Sequence, residues 1–117
     1  MAIVAAFASS DGVTVDQHFG RADTFVVYSI SQEVSLRLEG RRVAPLKEGD
    51  LPEHHLQSRV DILKDCTLII AQKFGRHAWG LFDPARTEIL ELDGQITDML
   101  PQLQKLVKLR RKYQTSN

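Results

Sequence analysis

The apolar positions of this chain follow strand periods first and helical periods later. Residues 3–8 form a short apolar run closed by Ser9-Ser10-Asp11-Gly12, and Asp-Gly is a favoured tight-turn pair. A buried, central first strand is predicted there. Val13 and Val15 alternate with Thr14 and Asp16, a short extended piece leading to His18 and ending at Gly20, and 21–23 read as a polar loop. Residues 24–30 are β-branched and aromatic, the composition of a strong strand. Val34, Leu36 and Leu38 then alternate with polar residues, which predicts a half-buried antiparallel strand interrupted at Gly40. An edge continuing over 41–46 would stop at Pro45, and 47–50 read as linker.

The second half alternates helix and strand. Asp50, Pro52 and Glu53 are helix-start residues, and Leu56, Val60 and Leu63 share one face of a helix expected to end near Asp65 and Cys66. Residues 67–71 are continuously apolar, as in a strand buried on both faces. Gly75 opens a short helix over 76–82, stopped by Asp83-Pro84, and such a helix start can hold an anion. A last strand falls over 87–92. Ile96, Met99, Leu100, Leu103, Leu106 and Val107 mark one stripe of a final helix, and Pro101 places its regular start near Asp98. Together these elements predict a mixed sheet of about five strands flanked by helices. One domain over 1–117 is expected, with a regular core to about 110 and a frayed tail over 113–117.

Composition narrows the chemistry. Fifteen lysines and arginines balance fifteen aspartates and glutamates, so no global basic field favours nucleic acid. The five basic residues in 105–112 read as favourable charge at a helix C-terminus and a solvated face. The first seven residues are apolar but lack the pattern of a signal peptide, and no run reaches the ~18 apolar residues of a membrane span. A soluble, cytoplasmic protein with no membrane or nucleic-acid partner is expected. Cys66 is the single cysteine, which excludes an internal disulfide and an iron–sulfur cluster held by the usual four or so thiolates. A cluster handled by this chain would arrive preassembled.

The densest chemistry lies in Asp16-Gln17-His18-Phe19-Gly20. His18 is placed at a strand-to-turn junction, where a neutral imidazole is a common metal ligand, and Asp16 would either orient the ring or cap the turn. This block, with Ser9-Ser10-Asp11-Gly12 before it and Arg21-Ala22 and Phe25-Val26-Val27-Tyr28 after it, resembles the dinitrogenase iron-molybdenum cofactor biosynthesis family, of the NifX type and the NifB C-terminal domain type. Asp65-Cys66 before a buried strand, then Gly75 and Ala78, extend the likeness along the chain.

The resemblance implies an α/β, ribonuclease H-like, mixed five-stranded sheet flanked by helices. It implies a non-catalytic carrier of iron-molybdenum cofactor or its iron–sulfur precursor, working with nitrogenase cofactor-assembly proteins or apo-dinitrogenase. His18 corresponds to the family's cofactor-binding histidine and is the metal-ligand candidate. Arg21 lies close by for charge, with Lys73 or Arg76 from the other loop, and Gln17 is a hydrogen-bonding candidate for the organic acid of the finished cofactor. Cys66 reads either as a soft ligand or as a small buried hydrophobe at a helix end. His77 reads as an exposed helix residue or as a partner of His18 if their loops share a sheet edge. His54 and His55 read as surface residues. Phe19 and Phe25 are expected to anchor the loop, and Trp79 belongs to core or interface. The rivals are a two-metal hydrolase built on clustered carboxylates, an interaction or regulatory domain of the same fold, and a carrier of another cluster outside nitrogen fixation.

Overall fold

The computed structural model describes residues 1–45 and 47–115. Five strands form the main sheet: β1 (Ala2–Ala8), β3 (Thr24–Ser31), β4 (Ser35–Arg42), β5 (Leu68–Ala71) and β6 (Glu88–Glu91), in the order β4-β3-β1-β5-β6. β1 is central, as its apolar run requires. It pairs antiparallel with β3 and parallel with β5, which pairs parallel with β6. The C-terminal ends of β1, β5 and β6 therefore share one sheet edge with the start of β3 and the end of β4. That edge carries the His18 loop.

Alternation along the strands separates two apolar layers. Ala6, Ala8, Phe25, Val27, Ile69 and Ala71 face α1 (Pro52–Asp61), the one-turn α2 (Arg76–Trp79) and a 3₁₀ turn, Phe19–Arg21. Ile3, Ala5, Phe7, Val26, Leu68 and Ile70 face α3 (Ile96–Thr115) through Ile96, Met99, Leu103 and Val107.

Several boundaries differ from those the sequence predicts. Gly40 does not interrupt β4: it pairs with Val26, and the strand reaches Arg42. Of the edge expected over 41–46, Leu46 lies outside the described residues. Leu36 and Leu38 are about half exposed, at 55% and 53%. β4 is an edge strand, and a register irregularity opposite Val27 and Tyr28 breaks its simple alternation. Asp50 does not cap α1. Its carboxylate accepts from the Lys47 N–H at 2.7 Å, while His54 Nδ1 accepts from the Leu51 N–H at the helix start. The helix stops at Asp61, and a tight turn, closed by Cys66 N–H donating to the Leu63 carbonyl, leads into β5.

α2 ends at Trp79, well short of 82. α3 starts at Ile96 with Pro101 inside it, because a small ribbon fixes its entry. That ribbon pairs β2 (Thr14–Val15) with β7 (Gly94–Gln95), and the Ile96 N–H donates to the Val13 carbonyl at 2.9 Å. The helix continues to Thr115 through part of the stretch expected to fray, and residues 116–117 lie outside the described residues.

Candidate functional site

Phe19 organises the loop-bearing edge. Its ring is completely buried, stacked on Phe74 at 5.2 Å and set against Phe25 at 5.8 Å and Phe82 at 5.5 Å. Its N–H donates to the Lys73 carbonyl at 2.8 Å, and the Gln72 N–H donates to the Gln17 carbonyl at 2.9 Å. The segment around His18 thus lies parallel to the chain leaving β5, as one added rung of the sheet. The expectation that Phe19 and Phe25 anchor the loop holds. His18 itself is exposed on this pinned backbone and leads directly into the 3₁₀ turn.

The acids near His18 serve the backbone. Asp16 accepts hydrogen bonds from the N–H and hydroxyl of Ser10, so it caps the preceding turn and makes no hydrogen bond to the imidazole. Asp11 Oδ1 accepts from the Val13 and Thr14 N–H groups and from the Ser9 hydroxyl. Those backbone donors hold the Asp11 carboxyl below its ordinary range. Glu91, at the end of β6, accepts from the Phe74 N–H at 2.8 Å.

The cations are left free. Arg21 in the 3₁₀ turn, Lys73 after β5 and Arg76 at the start of α2 are exposed, and among the described residues none has an ion-pair partner. The 3₁₀ turn is held from below by Arg59, which is 3% exposed and donates from Nε to the Ala22 carbonyl at 2.7 Å. Burial pulls the Arg59 guanidinium below its ordinary value. Sequence reasoning passed over Arg59, although it sits three residues after Leu56 and one before Val60, inside the apolar stripe of α1.

The remaining candidates separate. Gln17 Oε1 is shut off from solvent without a hydrogen-bond partner among the described residues, so the amide oxygen is turned inward and the backbone carbonyl does the pairing. His77 is exposed on α2 and borders a cleft of about 430 Å3 with Pro52, Glu53, Leu56, Gln57 and Leu81, which His18 does not line. α2 is too short for a substantial helix dipole, and Glu91 already takes the Phe74 N–H just before it. Trp79 is half exposed, its ring 5.9 Å from that of Phe74.

Cys66 is not part of this edge. It precedes β5, on the order of 15 Å of extended chain from the strand's other end. It is buried among Leu63, Val60 and Ile69, in keeping with the small-hydrophobe reading. Burial, with help from Asp65, pushes its thiol up to about 12. Nearby, Arg41 clamps β4 to the turn after α1 by donating to Asp65 and to the Ile62 carbonyl.

Among the described residues no group of three or more His, Cys, Asp or Glu side chains is placed to hold a metal ion, and no helix is long and apolar enough to cross a membrane. A ligand at the loop edge would meet one imidazole donor amid free cations. The molecule is a mixed α/β domain with His18 and Lys73 exposed where parallel strand β5 ends, the usual place for ligand sites on such sheets.

The chain belongs to the dinitrogenase iron-molybdenum cofactor family, whose model matches residues 1–106. It is 37% identical over 73 residues to the NifX protein of Azotobacter vinelandii, covering 62% of this chain and 46% of that one. It is 26% identical over 95 residues to the FeMo cofactor biosynthesis protein NifB of Chlorobaculum tepidum, covering 80% of this chain and 22% of NifB. The chain thus spans less than half the length of either curated relative. Among solved structures, PH0822 shares the fold with a TM-score of 0.68 at 24% identity, over 88% of this chain and 89% of that one. A Methanocaldococcus jannaschii protein, mj0327, does so with a TM-score of 0.60 at 12% identity, over 92% of each chain.

Proposed function

We propose that this chain is a non-catalytic, cytoplasmic carrier in nitrogenase cofactor biosynthesis. It binds the iron-molybdenum cofactor or an iron–sulfur precursor as cargo, and its partners are cofactor-assembly proteins or apo-dinitrogenase. The observation that carries this reading is the exposed His18 imidazole, on a backbone held by the Phe19 N–H to Lys73 carbonyl bond, with Arg21 three residues on and Lys73 across the backbone bridge, both exposed and without ion-pair partners among the described residues.

A metal–sulfur cluster is anionic and already carries its own sulfur ligands. One neutral imidazole can take an exposed metal, and the cations balance the charge. A single ligand also lets the cargo leave, as a carrier requires. Family membership and the likeness to NifX and NifB support the assignment of cargo. Cys66, buried at the other end of β5, is outside the proposed site.

We read the sheet as ribonuclease H-like, used here as a scaffold. A two-metal hydrolase needs carboxylates that converge on its metals, whereas Asp11 and Asp16 are spent on the hydrogen bonds of their own loop.

The test is anaerobic titration of the protein, His18→Ala and Cys66→Ser with isolated iron-molybdenum cofactor and with its all-iron precursor, followed by visible absorbance and co-elution. Binding by the native protein and Cys66→Ser that His18→Ala loses is the expected result. Equal binding by all three overturns the site. Absence of binding by the native protein overturns the carrier reading.

A further inference from the structure

Arg37 and Arg42 lie on one face of β4, opposite Tyr28 and Thr24, with Gly40 opposite Val26 between them. A Cβ at Gly40 would meet only the Phe25 carbonyl oxygen, at 3.8 Å, so β4 carries no side chain on this face between the two arginines and is open there. The turn at 9–12 stands across from this open stretch. Together they bound a cleft of about 320 Å3, floored by Thr24 and Val26.

The cleft is built from both walls. On one side, Asp11 Oδ1 collects the Val13 and Thr14 N–H groups and the Ser9 hydroxyl, while Ser9 Oγ accepts from the Gly12 N–H, so the turn is rigid. Gly12 has a φ of +79°, and the Arg37 guanidinium packs against it, 3.2 Å from the position a Cβ would take. On the other side, Arg41 is neutralised by Glu39 and Asp65. Arg37 and Arg42 have no ion-pair partner among the described residues. Among the described residues Asp11 is the only carboxylate lining the cleft, and Asp16 stands behind it, hydrogen-bonded to Ser10. Two guanidinium forks flank a concavity at the lower end of the ~300–1,000 Å3 typical of small-ligand sites.

We propose that this cleft binds a small multivalent oxyanion, a phosphate or polycarboxylate group with at least two anionic oxygens, one set for each of Arg37 and Arg42. Guanidinium forks match the planar and tetrahedral oxygen pairs of these groups. His18 does not line the cleft, so this site stands independently of the carrier reading.

The test is a ¹⁵N amide titration of the full chain at constant ionic strength, with inorganic phosphate and separately with propane-1,2,3-tricarboxylate. Saturable shifts at Ser10, Gly12 and Gly40 are expected, with a Kd on the order of 1 mM. Arg42→Gln, which removes an exposed and unpaired side chain, is expected to weaken binding about tenfold, and Arg37→Gln with Arg42→Gln to weaken it further. Saturation by either anion supports the site and identifies its source as phosphate or carboxylate. Unsaturable shifts with both anions, shifts reproduced by sodium chloride, or unchanged titration of the double variant overturn it.

Discussion

Replacing Phe19 by alanine is the sharpest test of how the site is held. The ring has no exposure and touches three other rings at centroid distances of 5.2, 5.5 and 5.8 Å. Truncating a fully buried Phe costs about 3–5 kcal/mol, the upper part applying where neighbours cannot collapse into the space. Here Phe25 and Phe74 are tied to β3 and to the β5 exit, and the lost aromatic pairs, about 0.5–1.5 kcal/mol each, make up part of that cost. A loss of about 4 kcal/mol is therefore expected, which lowers Tm by about 15 °C for a chain of this size. Phe19→Leu keeps most of the apolar volume but loses the three aromatic pairs, so it should cost less than Phe19→Ala, about 2–3 kcal/mol.

The damage should also be local. The Phe19 N–H to Lys73 carbonyl bond depends on the ring staying in place, so amide exchange should accelerate at 17–21 and 72–74 before it does so in β1 or β3. Calorimetry gives the first quantity and hydrogen exchange by NMR the second. A loss below about 1 kcal/mol, or exchange that accelerates uniformly across the sheet, would refute the anchoring role.

Cys66, with its thiol pushed up to about 12, should hold only about one thiolate in ten thousand at pH 8. Native protein should therefore resist alkylation by iodoacetamide that the unfolded chain undergoes readily. The Arg41 hydrogen bonds hold the Asp65 carboxyl below its ordinary value, so this pair's contribution is present above a pH of about 3.9 and is lost as pH falls through the folded value. Because Asp65 is 61% exposed, that contribution should be at most about 1 kcal/mol. Denaturation of Asp65→Asn should show a smaller drop in stability between about pH 6 and about pH 3 than the native protein does. Gly12→Ala forces a side chain into φ +79°, while Arg37 can swing aside, so urea unfolding should report a loss of about 1 kcal/mol.

Period and composition sufficed for the main elements. The unbroken apolar run before Ser9 placed β1 at the centre, the run over 67–71 marked β5 as a strand buried on both faces, and the stripe from Ile96 to Val107 set the buried face of α3. These are local burial patterns, and burial writes itself into residue type at fixed spacing. The His-Phe-Gly block was marked differently, by an imidazole set between an acid and a glycine turn and by its resemblance to a family motif.

What the sequence could not fix was partnership between distant residues. Asp16 was two residues from His18 and available to it, but the fold brought Ser10 to its oxygens. Cys66 stayed open as a second ligand beside His18 until β5 placed one at each end of itself. The alternation around Val15 marked a short extended piece at β2, but nothing in Gly94-Gln95 announced its partner β7, and their pairing sets where α3 begins and leaves Pro101 inside it. Likewise, the stretch at Leu36 and Leu38 had the alternation of a half-buried strand, and only its position at the sheet edge left them in water. Hydrogen bonds, ion pairs and edges depend on which backbone segments are neighbours, and that is decided by closing the chain over long loops.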